Sequence, residues 1–136
     1  MGRLTASGGL YLSKQLELAE YLKSLGYKVE VLNNTVRVLH DVLPLYLELE
    51  FKDRFVYISI KHTDDFRDYL EEMRDMGEDI EEQVETAMSY LSIAALKARQ
   101  WIEDKELVPV FKLREGSIEI SETLEELVEE EEESEE

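Results

Sequence analysis

Residues 45–61, LYLELEFKDRFVYISIK, alternate apolar and polar side chains on both sides of a central Lys52-Asp53 pair. Successive side chains of an extended strand point to opposite faces, so two such runs joined by a tight turn form a hairpin with one apolar face. A turn at Lys52-Asp53 sets Leu49 against Val56, Leu47 against Ile58 and Leu45 against Ile60, and all six project the same way. That face requires a cover. The other face carries Tyr46, Glu48, Glu50, Phe55, Tyr57 and Lys61, a polar surface interleaved with aromatics.

Upstream, Val29 and Val31 alternate with polar residues before Asn33-Asn34, and Val36 and Val38 do so after it. Asparagine tolerates the left-handed backbone of a two-residue turn, which predicts a hairpin pairing Val31 with Val36, Val29 with Val38 and Glu30 with Arg37. Before this hairpin, Leu18, Tyr21, Leu22 and Leu25, with Leu12, Leu16 and Ala19 beside them, mark a helix from Leu10 to Leu25 that ends at Gly26.

Downstream, Thr63-Asp64-Asp65 supplies caps for a short helix with Phe66, Tyr69, Leu70, Met73 and Met76 at three-four spacing, closed by Gly77. Asp79 and Glu82 form a capping box for a long helix whose stripe is Ile80, Val84, Ala87, Met88, Leu91, Ala95, Ala98 and Ile102. Thr86 to Leu96 carries no charge, which suits a helix surrounded on most sides, either centrally in the domain or in a dimer. Pro109 opens a third predicted hairpin, with a Glu115-Gly116 turn setting Leu113 against Ile118, Phe111 against Ile120 and Lys112 opposite Glu119. Ser121 or Thr123 then caps a last helical turn or two containing Leu124, Leu127 and Val128.

These elements define an α+β fold: an antiparallel sheet built from β-hairpins, with a long buried helix and shorter helices packed mainly on one face. The organisation expected along the chain is a flexible N-terminus at 1–9, a single α+β domain at 10–128 and a disordered acidic tail at 129–136. A length of 136 residues with 43% apolar content is enough for one core.

Charge narrows the partners. The formal net charge is -18, from 15 basic and 33 acidic residues, which disfavours any phosphate backbone as a partner. Residues 122–136 contribute ten of those acids and no base, leaving the remainder at -8. In the tail, Glu129, Glu130, Glu131, Glu132, Glu133, Glu135 and Glu136 suit either a solubility device or an electrostatic lure for a basic partner. There is no Cys, hence no disulfide and no thiolate metal site, and no mark of an oxidising compartment. No stretch reaches the roughly 18 apolar residues that cross a bilayer, no signal-peptide core stands at the N-terminus, and Ala6 breaks the myristoylation pattern after Gly2. A cytoplasmic location is the expectation. Abundant Glu with few amides (Asn33, Asn34, Gln15, Gln83, Gln100) resembles the usage of heat-adapted proteins.

Chemistry is sparse. His40, Asp41, His62 and Asp64 are the residue types that hold a divalent metal, and the second and fourth strands of a meander bring both imidazoles to one sheet edge. A strand lies between them, however, and two strand spacings are roughly 10 Å. Helix capping by itself accounts for Asp64 and Asp65. No nucleophile motif or phosphate loop is present, and no cofactor is expected. The reading is a non-enzymatic, chaperone-like protein-binding module, homodimeric and favouring basic partners, with Tyr46, Phe55, Tyr57 and Trp101 as its interaction surface. A metal-dependent hydrolase or nuclease using His40, Asp41, His62 and Asp64 is the alternative from another class, and an acidic nucleic-acid mimic is a third. In size, acidity and order of elements the chain is similar to small dimeric chaperones of secreted effectors, a likeness at the level of fold alone.

Overall fold

The computed structural model describes residues 2–135, and side chains from 13 to 130. The chain runs α1 (Gly2–Ser24), β1 (Lys28–Leu32), β2 (Thr35–Leu39), β3 (Leu45–Lys52), β4 (Phe55–His62), α2 (Phe66–Asp75), α3 (Ile80–Asp104), β5 (Val108–Phe111) and α4 (Leu113–Glu135). The fold is α+β. The five strands lie side by side in chain order, antiparallel except for β5, which joins β4 in parallel through the α2–α3 crossover.

The first hairpin has the register its valines predict: Val31 pairs with Val36, Glu30 with Arg37 and Val29 with Val38. Asn33 takes the left-handed turn position at φ 50°. In the second hairpin the turn lies one residue further along. Leu49 pairs with Ile58, Leu47 with Ile60 and Leu45 with His62, while Lys52 and Phe55 close a two-residue turn of Asp53 and Arg54. Asp53, at φ 57°, occupies the left-handed position, which aspartate tolerates better than the lysine that the expected turn would place first. Each partner changes by two residues, so no side chain changes face.

The covered face follows. Val36, Val38, Leu45, Leu47, Leu49, Phe51, Val56, Ile58 and Ile60 are all buried and form one core with Leu18 and Leu22 of α1 and Val84, Ala87, Leu91, Ala95, Ala98 and Ile102 of α3. The α3 cap forms as expected, the Asp79 carboxylate accepting from the Glu82 amide at 3.2 Å. Asp65 stands at the N-cap of α2, yet no side-chain cap bond is made there. Its carboxylate instead accepts from the Thr63 hydroxyl.

Three further expectations are corrected. The third hairpin does not form. Only Val108 to Phe111 is extended, and the predicted Glu115-Gly116 turn lies inside α4. The glycine serves a close approach instead of a turn: a Cβ at Gly116 would stand 1.8 Å from the Ile60 carbonyl oxygen. β5 covers β4 only as far as Ile58, whose carbonyl accepts from the Lys112 amide at 2.7 Å. Beyond that point α4 lies against the free edge of β4, and a side chain at position 116 would force it away. Second, within one chain α3 is not enclosed on most sides. Ala87, Leu91, Ala94 and Ala95 are buried, but Thr86, Ser89, Ile93 and Leu96 face outward. Third, the last helix is longer than the turn or two expected around Leu124, Leu127 and Val128: α4 runs from Leu113 to Glu135, through the charge run. Two arginines of α2 offset part of that charge. Arg67 pairs with Glu126 at 2.5 Å and Glu130 at 2.8 Å, while Arg74 donates to the Leu127 carbonyl at 2.9 Å.

α1 is tied to the first turn by Gln15, only 3% exposed, whose amide donates to the carbonyls of Asn33 at 2.7 Å and Thr35 at 3.0 Å.

Candidate functional site

Strand alternation that buries the leucines of β3 sends Tyr46, Glu48 and Glu50 to the opposite face, with Arg37 from β2 and Tyr57, Ser59 and Lys61 from β4 beside them. The registers set Glu30, Arg37, Glu48 and Ser59 in one row across four strands. Charge alternates along it. Arg37 lies 3.7 Å from Glu30 and 3.6 Å from Glu48, and its guanidinium stands 4.7 Å from the centre of the Tyr46 ring. Arg37 Nε is buried with no partner among the described residues. Glu48 is 8% exposed and accepts from Lys61 Nζ at 2.8 Å. That hydrogen bond raises the Lys61 pKa above the usual lysine value.

Tyr46, Phe55 and Tyr57 are half-buried on this face, as the strand pattern places them. The Lys112 ammonium lies 4.6 Å from the Tyr57 ring centre, and Phe55 is tilted against Tyr57 at 6.4 Å. Where α4 rises beside β4, the sheet and helix enclose a cleft of about 360 Å³, with Glu50, Tyr57 and Lys61 on the floor and Lys112, Glu115 and Glu119 on the wall. Trp101 is elsewhere. It is 9% exposed within the core, under the Lys105 ammonium at 5.6 Å, and little of it is left for a partner.

The imidazoles do not converge. His40 turns toward α3, where its ring meets Tyr90 edge-on at 5.6 Å. Its Nδ1 accepts from the backbone amides of Val42 at 3.1 Å and Leu43 at 2.9 Å, so this nitrogen carries no proton. Burial lowers the His40 pKa, opposed by the nearby Asp41 carboxylate. His62 instead stacks on Phe66 and lies 3.2 Å from Glu119 of α4. Asp41 and Asp64 are exposed. Among the described residues no group of three or more His, Asp or Glu is arranged to hold a metal ion.

Sequence reasoning missed Lys112, Glu115 and Glu119 as members of a wall, because it placed them on a hairpin. The signal was present in Leu113, Gly116, Ile120, Leu124 and Leu127, which recur at three and four. The chain matches no protein-family model, no curated protein and no solved structure. Among the described residues no helix is long and apolar enough to cross a membrane.

Proposed function

We propose that this chain is a non-enzymatic protein-binding module that works as a homodimer and presents its open sheet face to a basic partner. One observation carries the reading: a single sheet has one face filled by helices and another left open, aromatic and walled by α4. Half-buried Tyr46, Phe55 and Tyr57 offer large rigid contact area, the kind enriched in the centres of protein interfaces. The net charge of -18 speeds encounter with a basic surface and repels an acidic one. The homodimer rests on α3. Ile93 and Leu96 are 53% and 58% exposed beside the uncharged Thr86 and Ser89, and an uncharged strip lets two acidic copies approach without strong repulsion.

Sedimentation tests the dimer: a species of twice 15.9 kDa is expected, and Ile93→Asp with Leu96→Asp should halve it. A monomeric wild type at micromolar concentration rejects that part of the reading. For the sheet face, cross-linking and mass spectrometry should recover proteins with wild type that Tyr46→Ala/Tyr57→Ala loses. Identical sets from the two chains would count against the face.

A further inference from the structure

Several carboxylates of the domain have a cation beside them. On the sheet face Glu30 and Glu48 are matched by Arg37 and Lys61, and at the α2–α4 contact Glu126 and Glu130 are matched by Arg67 and Arg74. On another side of α4 the acids have no such partners. Glu125 and Glu129, one turn apart, and Glu81 in the first turn of α3 make no ion pair among the described residues. These three border a groove of about 380 Å³ between α3 and α4 whose apolar lining is Leu124 and Val128. Both aliphatic residues are half-buried against the core.

The two rows have helical spacing. Glu125 and Glu129 form one, Leu124 and Val128 the next, and among the described residues no cation lines the groove. A flexible basic side chain can lay its methylene stem along an aliphatic strip while its charged head reaches a carboxylate at the rim. Unneutralised carboxylates on adjacent turns also repel one another, and a cation placed between them relieves that repulsion. A second copy of this acidic chain would add to it.

We infer that this groove receives an amphipathic cationic helix of the protein partner, its apolar residues on Leu124 and Val128 and its Lys or Arg heads on Glu81, Glu125 and Glu129. The inference rests on the reading of a basic protein partner and assigns the partner's charge to the α3–α4 groove, since Lys61 and Lys112 already line the cleft of the sheet face. Helix-in-groove recognition of this kind uses anchors at three and four spacing.

The probe is a fluorescent peptide of leucine and lysine at helical spacing, followed by anisotropy at low salt. Glu125→Gln/Glu129→Gln should weaken binding by about tenfold. Glu17→Gln/Glu20→Gln, which removes the same charge from the exposed side of α1, should change it less than about twofold, as should Tyr46→Ala/Tyr57→Ala. Circular dichroism establishes that each variant is folded. Equal weakening by both glutamate pairs would mean diffuse charge attraction and overturn the groove. Loss only in the tyrosine pair would move the peptide to the sheet face, sinking the groove while keeping the basic-partner reading. No binding by wild type would end both.

Discussion

Ile58 and Tyr57 are neighbours on β4, yet one is fully buried beneath helices and the other lies half-open beside a cleft. The contrast extends across the sheet. On the covered face cross-strand neighbours are aliphatic and their worth lies in removal from water and close packing. On the open face they are alternating charges and aromatics, held by ion pairs such as Lys61 with Glu48 at 2.8 Å. Partly exposed pairs of that kind contribute little to stability. Stability therefore belongs mainly to one face.

Four experiments break or sharpen that contrast, from the largest expected effect to the smallest. Ile58→Ala should destabilise by about 2–5 kcal/mol in urea unfolding, the range for emptying a packed aliphatic site. Gly116→Ala should follow at about 1–3 kcal/mol, because a methyl group at that point meets backbone and α4 must shift. Amide hydrogen exchange should show the added opening concentrated in α4 and the second half of β4. Tyr57→Ala should cost no more than about 1 kcal/mol, its main specific loss being the contact with Lys112. An equal cost for Ile58→Ala and Tyr57→Ala would mean that the open face is also core.

The fourth concerns His40, on the covered side against Tyr90 and Tyr27 of the same aromatic cluster, with Asp41 as the adjacent charge. Its pKa in the folded chain is lowered by burial, so the unfolded chain takes up the proton first. The contribution is present above the ordinary imidazole pKa and is lost as pH falls toward the lowered folded value. Protonation of Nδ1 also removes the acceptor of the Val42 and Leu43 amides. Wild type should therefore lose more stability than His40→Gln between about pH 7 and pH 5, measured by thermal unfolding. Parallel curves for the two proteins would show that the ring has no such part.

Much of the fold was legible because short-range pattern and tertiary need agree in β1 to β4. Asn33 tolerates φ 50°, and the valines beside it admit one pairing with the buried side inward. The second hairpin was misread by one turn position with no effect on which residues face the core, since period-two patterning specifies a face more strongly than it specifies a partner. The candidate site was legible only in part. Tyr46, Phe55 and Tyr57 were assigned to their face by alternation alone, whereas Trp101 could be seen to belong to α3 but not how deeply it sits. The wall of the cleft was lost with the third hairpin. Glu115-Gly116 between two short apolar runs satisfies a turn rule locally, and the helix that replaces it depends on a contact with Ile60, 56 residues away in the chain.

By itself the sequence determined the class of fold, the leucine and valine face of the sheet, the extent of α3 and the acidity of the molecule, because alternation, helical spacing and charge are properties of neighbouring residues. Only the tertiary structure decided that β5 is parallel, that α4 runs along the edge of β4, and that His40 and His62 serve different surroundings. Each of these turns on which distant backbone or side chain stands opposite, and a glycine such as Gly116 reads the same in a turn as in a close helix crossing until its neighbour across the fold is known.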